Sequence, residues 1–103
     1  MYDGLKIAER GATRMAVSEV LSALADENRR AILLQLCRGR VNSGQLAEAL
    51  QMSPQGLSYH LSKLKKAGLI YETREKNYIY YEPDLTVLDE VLAWIDGLRG
   101  GTT

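Results

Sequence analysis

Residues 54–66 carry side chains whose types and spacing suit hydrogen bonding to nucleic acid. In a helix, at about 100° per residue, one sector of this segment collects polar and basic side chains and no Asp or Glu. The members of this sector are Gln55, Ser58, Tyr59, Ser62, Lys63 and Lys66. Glutamine can bond adenine through two hydrogen bonds, and hydroxyl groups and lysine can reach base edges or phosphates. Because an exposed face that serves only solubility normally mixes both signs of charge, the pattern favours DNA binding over a plain solvated helix.

The distribution of charge along the chain predicts a local basic surface. The formal net charge of the 103 residues is zero, but residues 38–82 carry seven basic and four acidic side chains, whereas residues 83–103 carry one basic and four acidic. A local basic face can bind phosphate even on a neutral chain. The hydrophobic fraction of 46% and the charged fraction of 25% are typical of one folded domain.

Residues for metal or catalytic chemistry are scarce. The chain has one cysteine, Cys37, and one histidine, His60. This composition excludes an internal disulfide, a zinc site built from cysteines and most catalytic triads within one chain, so we expect no cofactor, no metal and no enzyme activity. We expect Cys37 to be a small buried residue beside Leu33 and Leu36. We expect His60 to lie at the core boundary and to bond a neighbouring backbone group.

Apolar periodicity and capping residues predict a mainly α fold with a β-hairpin, in the order α-α-α-α-β-β-α. The first helix is expected over residues 13–25. The next three helices are expected to begin after Asp26, after Asn42 in capping-box spacing with Gln45, and after Ser53 with Pro54 as the first helical residue. Gly68 ends the fourth helix.

The pattern changes after Gly68. Residues 69–74 and 78–82 are rich in Ile, Tyr and Thr and predict a β-hairpin, in which Asn77 is the residue best suited to a positive φ. A last helix is expected from the cap-like pair Thr86 and Asp89 to about residue 98. The third and fourth helices, joined by three residues, form a helix-turn-helix, and the hairpin after them is a wing. This winged-helix arrangement usually places the second helix of the pair in the major groove.

The last helix carries more apolar surface than one core requires. Its apolar residues form two stripes that together exceed the ~100° needed to cover a single core. We expect the second stripe to meet another copy of the chain, although it could instead meet the first helix of its own chain. The residues expected at a dimer interface are Val17, Val20, Leu21, Leu88, Val91, Trp94, Ile95 and Leu98.

Three runs of sequence resemble the ArsR family of bacterial winged-helix repressors. They are LADENRRAILLQL (residues 24–36), GQLAEALQMSPQGLSYHLSKLKKAGLI (residues 44–70) and NYIYY (residues 77–81). The resemblance covers residues 20–82, and the stretch DLTVLDEVLAWIDGL (residues 84–98) is similar to the SdpR-like autorepressor subgroup. The resemblance implies a homodimer, built from the first and last helices, that represses by binding a palindromic operator near its own promoter.

The resemblance also implies roles for single residues. Gln55, Ser58 and Tyr59 fall where the family's recognition helix meets the bases, and Ser43 falls where the third helix meets the DNA backbone. The residues expected at the DNA backbone are Ser43, Ser53, Ser62, Lys63, Lys66, Arg74 and Lys76. The wing tip departs from the family pattern, which often has Gly then Arg where this chain has Lys76 then Asn77.

The effector sites of the family are not matched. Where metal-sensing members carry two cysteines, this chain has Asn42 and Gly44. Other members carry a set of Asp and His ligands on the last helix, of which only Asp84 is present here, with Thr86, Gly97 and Gly100 at the other positions. One oxygen ligand does not make a zinc site. We therefore expect no metal effector, and the subgroup resemblance leaves open a regulatory protein partner as the releasing signal.

Together these features predict a DNA-binding transcriptional repressor that acts as a homodimer. The alternative is a winged-helix module for protein–protein interaction without DNA binding, and the salt dependence of binding separates the two. We expect one domain over residues 15–98, an N-terminal extension over residues 1–14 whose order the sequence leaves open, and a flexible tail over residues 99–103. Neither a membrane-spanning segment nor a signal-peptide pattern is visible, so we expect a cytoplasmic protein without membrane insertion.

Overall fold

The computed structural model describes residues 16–100, which form five helices and three short strands. Helix α1 ends at residue 24. It is followed by α2 (Glu27–Arg38), β1 (Val41–Asn42), α3 (Ser43–Leu50), α4 (Pro54–Lys66), β2 (Ile70–Glu75), β3 (Tyr78–Pro83) and α5 (Thr86–Leu98). The predicted fold class, a mainly α winged helix-turn-helix, is confirmed. The predictions for residues 1–14 and for the end of the tail lie outside the described residues.

Local hydrogen bonds fix the starts of three helices, as predicted. The Asp26 carboxylate accepts from the backbone N–H groups of Asn28 and Arg29. Asn42 and Gln45 form both halves of a capping box at the start of α3. At the start of α4, Ser53 Oγ accepts from the N–H of the third helical residue at 3.0 Å. These caps satisfy amides that have no partner within the helix.

The start of α5 differs from the prediction, which paired Thr86 with Asp89. Thr86 is the first helical residue, and Leu85 at the N-cap supplies no side-chain acceptor. Instead, the carboxylate of Asp84 accepts from the Thr86 N–H at 3.1 Å. The hydroxyl and the amide of Thr86 together hold the pKa of Asp84 below its ordinary value. The prediction was wrong because an aspartate two residues ahead of the helix can close the turn in place of the N-cap residue.

The sheet has three antiparallel strands in the order β1-β3-β2. The sequence pattern did not predict β1, because a two-residue strand is too short to show alternation; it pairs Val41 with Tyr81. The hairpin extends to the pair Glu75–Tyr78, which leaves a two-residue turn. The positive φ in that turn, 56°, belongs to Lys76 and not to Asn77 as predicted, because β2 continues one residue further than its composition indicated.

The core is built from the inward faces of the helices and the start of β2. The largest fully buried side chains are Val20, Ile32, Leu36, Leu46, Leu57, Leu64 and Leu69. Cys37 does not join them: it is exposed in the last turn of α2, which corrects the prediction of a buried cysteine. The prediction was wrong because Leu33 and Leu36 define the side of α2 that faces the core, and Cys37, the residue after Leu36, lies away from that side. No helix in residues 16–100 has the length and apolarity to cross a membrane.

Candidate nucleic-acid interface

Helix α4 is held on one side by the core and presents its other side to solvent. Leu57, Leu61 and Leu64 are buried. All six polar and basic residues of the predicted sector are exposed, and the helix contains no carboxylate. Since the leucines fix which side faces inward, the exposed side keeps Gln55, Ser58 and Tyr59 accessible to a ligand.

Tyr59 is flanked by two neighbours on the same helix. Its ring meets the ring of His60 edge-on, with the centroids 5.4 Å apart. The ammonium group of Lys63 lies 5.6 Å from the centre of the Tyr59 ring, within reach of a cation–π interaction. An exposed aromatic ring held beside a cation can stack on or bond to a base while the cation faces phosphate.

A cleft of about 310 Å³ lies between α3, α4 and the wing. It brings together three of the predicted residues, Ser43, Ser58 and Ser62. Lys65 and Glu72 also line this cleft. The three hydroxyl groups come from two helices, so the cleft is a concave surface of hydrogen-bond donors at the edge of the exposed α4 face.

The predicted basic contacts Lys63 and Lys66 line a different groove. This second groove, also about 310 Å³, lies between α4 and α1, where it includes Ser18, Glu19 and Ser22. Ser58 and Ser62 therefore lie on one flank of α4, and Lys63 and Lys66 lie on the other. A duplex lying against the exposed face would meet hydroxyl groups on one flank and ammonium groups on the other.

The start of α4 offers fewer free amides than a helix terminus usually does. Pro54 has no N–H, and the Gly56 N–H is bonded to Ser53 Oγ. Leu57 N–H bonds the Ser53 carbonyl. The Gln55 N–H is therefore the amide of the first turn that these bonds leave available. Because the Ser53 hydroxyl acts there as an acceptor, its own hydrogen stays available for a phosphate.

The wing carries acidic side chains that two basic residues neutralise. Lys65 Nζ lies 2.5 Å from Glu72 Oε1, and Arg40 Nη2 lies 2.7 Å from Glu75 Oε1. The hydrogen bond that Lys65 donates to Glu72 raises the pKa of Lys65, and the one that Arg40 donates to Glu75 raises the pKa of Arg40. The guanidinium of Arg40 also lies 4.2 Å from the centre of the Tyr80 ring.

The other wing cations, Arg74 and Lys76, are exposed as predicted contacts must be. Sequence reasoning missed the roles of Arg40 and Lys65, because their partners are seven and more residues away. Those partners are defined only by the register of the hairpin and its position against α4. No local sequence signal identifies these pairs.

Among residues 16–100 the His60 side chain bonds a side chain and no backbone group, which corrects the prediction. Its Nδ1 atom lies 3.1 Å from Nη1 of Arg29. Arg29 is a buried charged residue, and its burial was not predicted, because its position in α2 resembles that of any solvated arginine. The guanidinium group of Arg29 on α2 takes the place that a backbone group was expected to fill.

Three of the eight predicted dimer residues lie in the core of the single chain. Val17, Val20 and Val91 are buried there, and their place at a dimer interface stays a prediction. Leu88 is partly buried against the same core. The remaining four are exposed: Leu21, Trp94, Ile95 and Leu98. Leu92, which was not predicted, is exposed as well.

Residues 16–100 contain no group of three or more His, Cys, Asp or Glu side chains arranged to hold a metal ion. Asn42, which stands where metal-sensing relatives were expected to have a cysteine, is engaged in the capping box of α3. Its side chain thus has a structural role at that position.

Comparison with known proteins gives consistent matches over most of the chain. The family described as bacterial regulatory protein, arsR family, matches residues 26–72. The transcriptional repressor SdpR of Bacillus subtilis is 35% identical over 79 residues, which cover 77% of this chain and 88% of the relative. The transcriptional activator HlyU of Vibrio cholerae is 32% identical over 95 residues, which cover 92% and 83%.

Solved structures share the fold. An ArsR-like transcriptional regulator from Rhodococcus sp. RHA1 superposes with a TM-score of 0.80 at 27% identity, covering 86% of this chain and 84% of that one. The homodimeric winged helix-turn-helix DNA-binding domain of a Mycobacterium bovis protein superposes with a TM-score of 0.71 at 28% identity, covering 90% and 86%.

Proposed function

Because the chain belongs to the ArsR family of bacterial regulatory proteins, we propose that it represses transcription by binding a palindromic operator as a homodimer, without a metal effector. It is a DNA-binding transcriptional regulator and not an enzyme. The observation that carries the proposal is the exposed face of α4, which lacks carboxylates and is held outward by Leu57, Leu61 and Leu64.

In this proposal α4 is the recognition helix. Gln55, Ser58 and Tyr59 contact base edges, because they are exposed in the first two turns, where a recognition helix meets the groove floor. The backbone contacts are those predicted from the sequence, Ser43, Ser53, Ser62, Lys63, Lys66, Arg74 and Lys76, all of them exposed. The two flanking grooves support this division, since donors to phosphate lie on both sides of the base-reading residues.

The homodimer is supported by the apolar surface of α5. Val91 is buried in the core, whereas Ile95 and Leu98, one and two turns further along the same side, are exposed. The apolar stripe therefore extends beyond the core of its own chain, and a second copy would cover it. Leu21 and Trp94 are exposed apolar side chains that add to this surface. A two-fold dimer presents two copies of α4, which calls for a palindromic operator.

We propose repression by analogy with the relative SdpR, which is a repressor; the relative HlyU is an activator. Repression needs only that an operator-bound dimer overlaps the promoter. Transcription in vitro from a template carrying the operator should decrease as the protein is added, and an increase would contradict repression. We also propose a cytoplasmic location, where chromosomal DNA is accessible, and release by a regulatory protein partner.

The experiment that tests the proposal selects bound sequences from random duplex DNA. We expect an inverted repeat whose half-sites lie roughly one helical turn apart, or a multiple of that distance. Binding to the selected duplex should weaken linearly on a logarithmic scale of salt concentration. A protein-interaction module would select no sequence, and its binding would not show this salt dependence.

The same assay tests the absence of a metal effector. Stoichiometric Zn²⁺ should leave the operator affinity nearly unchanged, since the described residues offer no ligand cluster. Weakening by about tenfold or more would contradict the metal-free proposal.

A further inference from the structure

Arg29 joins three helices through one buried guanidinium group. Its Nε atom donates to the carbonyl oxygen of Ala23 at 2.7 Å, and Nη2 donates to that of Ser22 at 3.2 Å. Both carbonyls belong to the last turn of α1, while Arg29 itself lies in the first turn of α2. The third nitrogen, Nη1, reaches Nδ1 of His60 on α4 at 3.1 Å.

The chemistry of the pair fixes the state of the imidazole ring. A guanidinium only donates hydrogen bonds and stays charged. Nδ1 of His60 must therefore be the acceptor, so the ring is neutral and carries its proton on Nε2. Protonation of His60 would turn this acceptor into a donor and would place two cations within hydrogen-bonding distance.

The bond constrains α4 in a way that the leucines do not. Leu57, Leu61 and Leu64 bury one side of the helix, but apolar contacts are not directional and permit small rotations about the helix axis. A hydrogen bond from a buried guanidinium is directional and fixes that rotation. His60 directly follows Tyr59 and touches its ring, so a rotation at His60 displaces the base-reading side chain.

We infer that the Arg29–His60 hydrogen bond positions the recognition helix for operator binding, and that it does so only while His60 is uncharged. The inference rests on the proposed function, since it concerns the DNA-reading face of α4. Arg29 and His60 are positioning residues in this scheme: they act through Tyr59 and its neighbours. The consequence is that operator affinity falls when His60 takes up a proton.

The other groups near His60 would not preserve the Arg29–His60 hydrogen bond once His60 is protonated. From α2, Arg29 is in direct contact, and the carboxylate of Asp26 is close enough to interact with the imidazole charge. From α1, the groups at this site are the carbonyls of Ser22 and Ala23, which already accept from Arg29. On α4 itself the neighbours are the Tyr59 phenol and, one turn further on, the ammonium group of Lys63 beside the Tyr59 ring. A protonated His60 can no longer accept from Arg29 and is repelled by its guanidinium group, so the hydrogen bond is lost.

The test compares three chains on the selected operator at constant ionic strength, over a series of pH values between about pH 8 and pH 5. His60→Asn keeps an acceptor oxygen near the position of Nδ1 and does not titrate, whereas His60→Leu has no acceptor. We expect the parent to lose about tenfold in operator affinity on acidification. His60→Asn should show a flat profile, and His60→Leu should bind weakly at every pH.

Equal pH profiles for the parent and His60→Asn would overturn the inference, because another group would then be responsible. Full operator affinity in His60→Leu would overturn it too. A second readout needs no DNA: imidazole nitrogen chemical shifts of the free parent at pH 8 should show an unprotonated Nδ1, and a proton on Nδ1 would contradict the geometry. A parent that does not distinguish operator from scrambled duplex at pH 8 would instead contradict the proposed function, and the chemical shifts would still decide the state of His60.

Discussion

Gln55 and Lys66 lie at opposite ends of the exposed face of α4, and we propose different contacts for them. Gln55 is in the first turn and can bond adenine through two hydrogen bonds, whereas Lys66 is the last residue of the helix and approaches phosphate. Gln55→Ala should lose roughly 1–3 kcal/mol of discrimination at one base pair of each half-site. Binding to operator and to scrambled duplex measures this loss.

Lys66→Ala is the matched variant, because both side chains are exposed and neither is part of the core. It should weaken operator and scrambled DNA equally and lower the salt slope by about one. If Gln55→Ala keeps the parent's ratio of operator to scrambled binding, Gln55 does not read the sequence.

At the scale of elements, a lysine of α4 neutralises a carboxylate of the wing. Lys65 holds the carboxylate of Glu72 at the edge of the cleft that contains the three serines. Without this partner, Glu72 would face the DNA backbone as a free negative charge. Lys65→Ala should therefore weaken operator binding by roughly fivefold, even though Lys65 is not a proposed DNA contact.

The double variant Lys65→Ala with Glu72→Gln distinguishes neutralisation from direct contact. If Lys65 acts by pairing with Glu72, removal of the carboxylate should restore most of the affinity in the same binding assay. If the double variant stays as weak as Lys65→Ala, Lys65 itself contacts phosphate.

The helix caps predict how stability depends on pH. Partial burial favours the protonated form of Asp26, but the hydrogen bonds from the amides of Asn28 and Arg29, together with nearby positive charge, outweigh it, and the pKa of Asp26 lies below its ordinary value. A carboxylate whose pKa is lowered on folding stabilises the fold above its unfolded pKa of about 3.9, and the contribution disappears as the pH falls through the folded value.

The urea concentration at the unfolding midpoint of the parent should accordingly decrease when the pH is lowered below about 4. Asp26→Ser keeps an N-cap acceptor without a carboxylate, so its midpoint should change less over the same range. An equal acid dependence in the two chains would mean that Asp26 does not contribute to it.

What the sequence predicted well is local in origin. The caps at Asp26, Asn42 and Ser53 are correct, since donor and acceptor lie within three residues of each other, and so is the inward face of α4. The acceptor of His60 and the partner of Lys65 were not predictable, because they depend on how α2 and the hairpin pack against α4. The β1 strand exists only through pairing with β3.

At the scale of the whole molecule, two leucines test the dimer. Leu34 on α2 and Leu98 on α5 have the same exposed fraction in the single chain, 68%. Asp substitution at either site should therefore affect the folding of one chain to a similar and small extent. Leu98→Asp should raise the dimer dissociation constant by about tenfold or more, because it places a charge in the proposed interface.

Leu34→Asp should leave the dissociation constant near that of the parent, since Leu34 lies outside the proposed interface. Analytical ultracentrifugation over a concentration series measures both. A parent that stays monomeric at high micromolar concentration, or equal effects of the two variants, would remove α5 from the interface.

The exposure of Cys37 makes the chain suitable for distance spectroscopy. It is the single thiol of the sequence, it lies on the last turn of α2, and none of the proposed DNA or dimer contacts includes it. A nitroxide label attached there, without any prior substitution, would occur once in each copy. The distance between the two spins would report how far apart the halves of an assembled pair lie, and its change on adding duplex would show how the pair adjusts to the spacing of its operator.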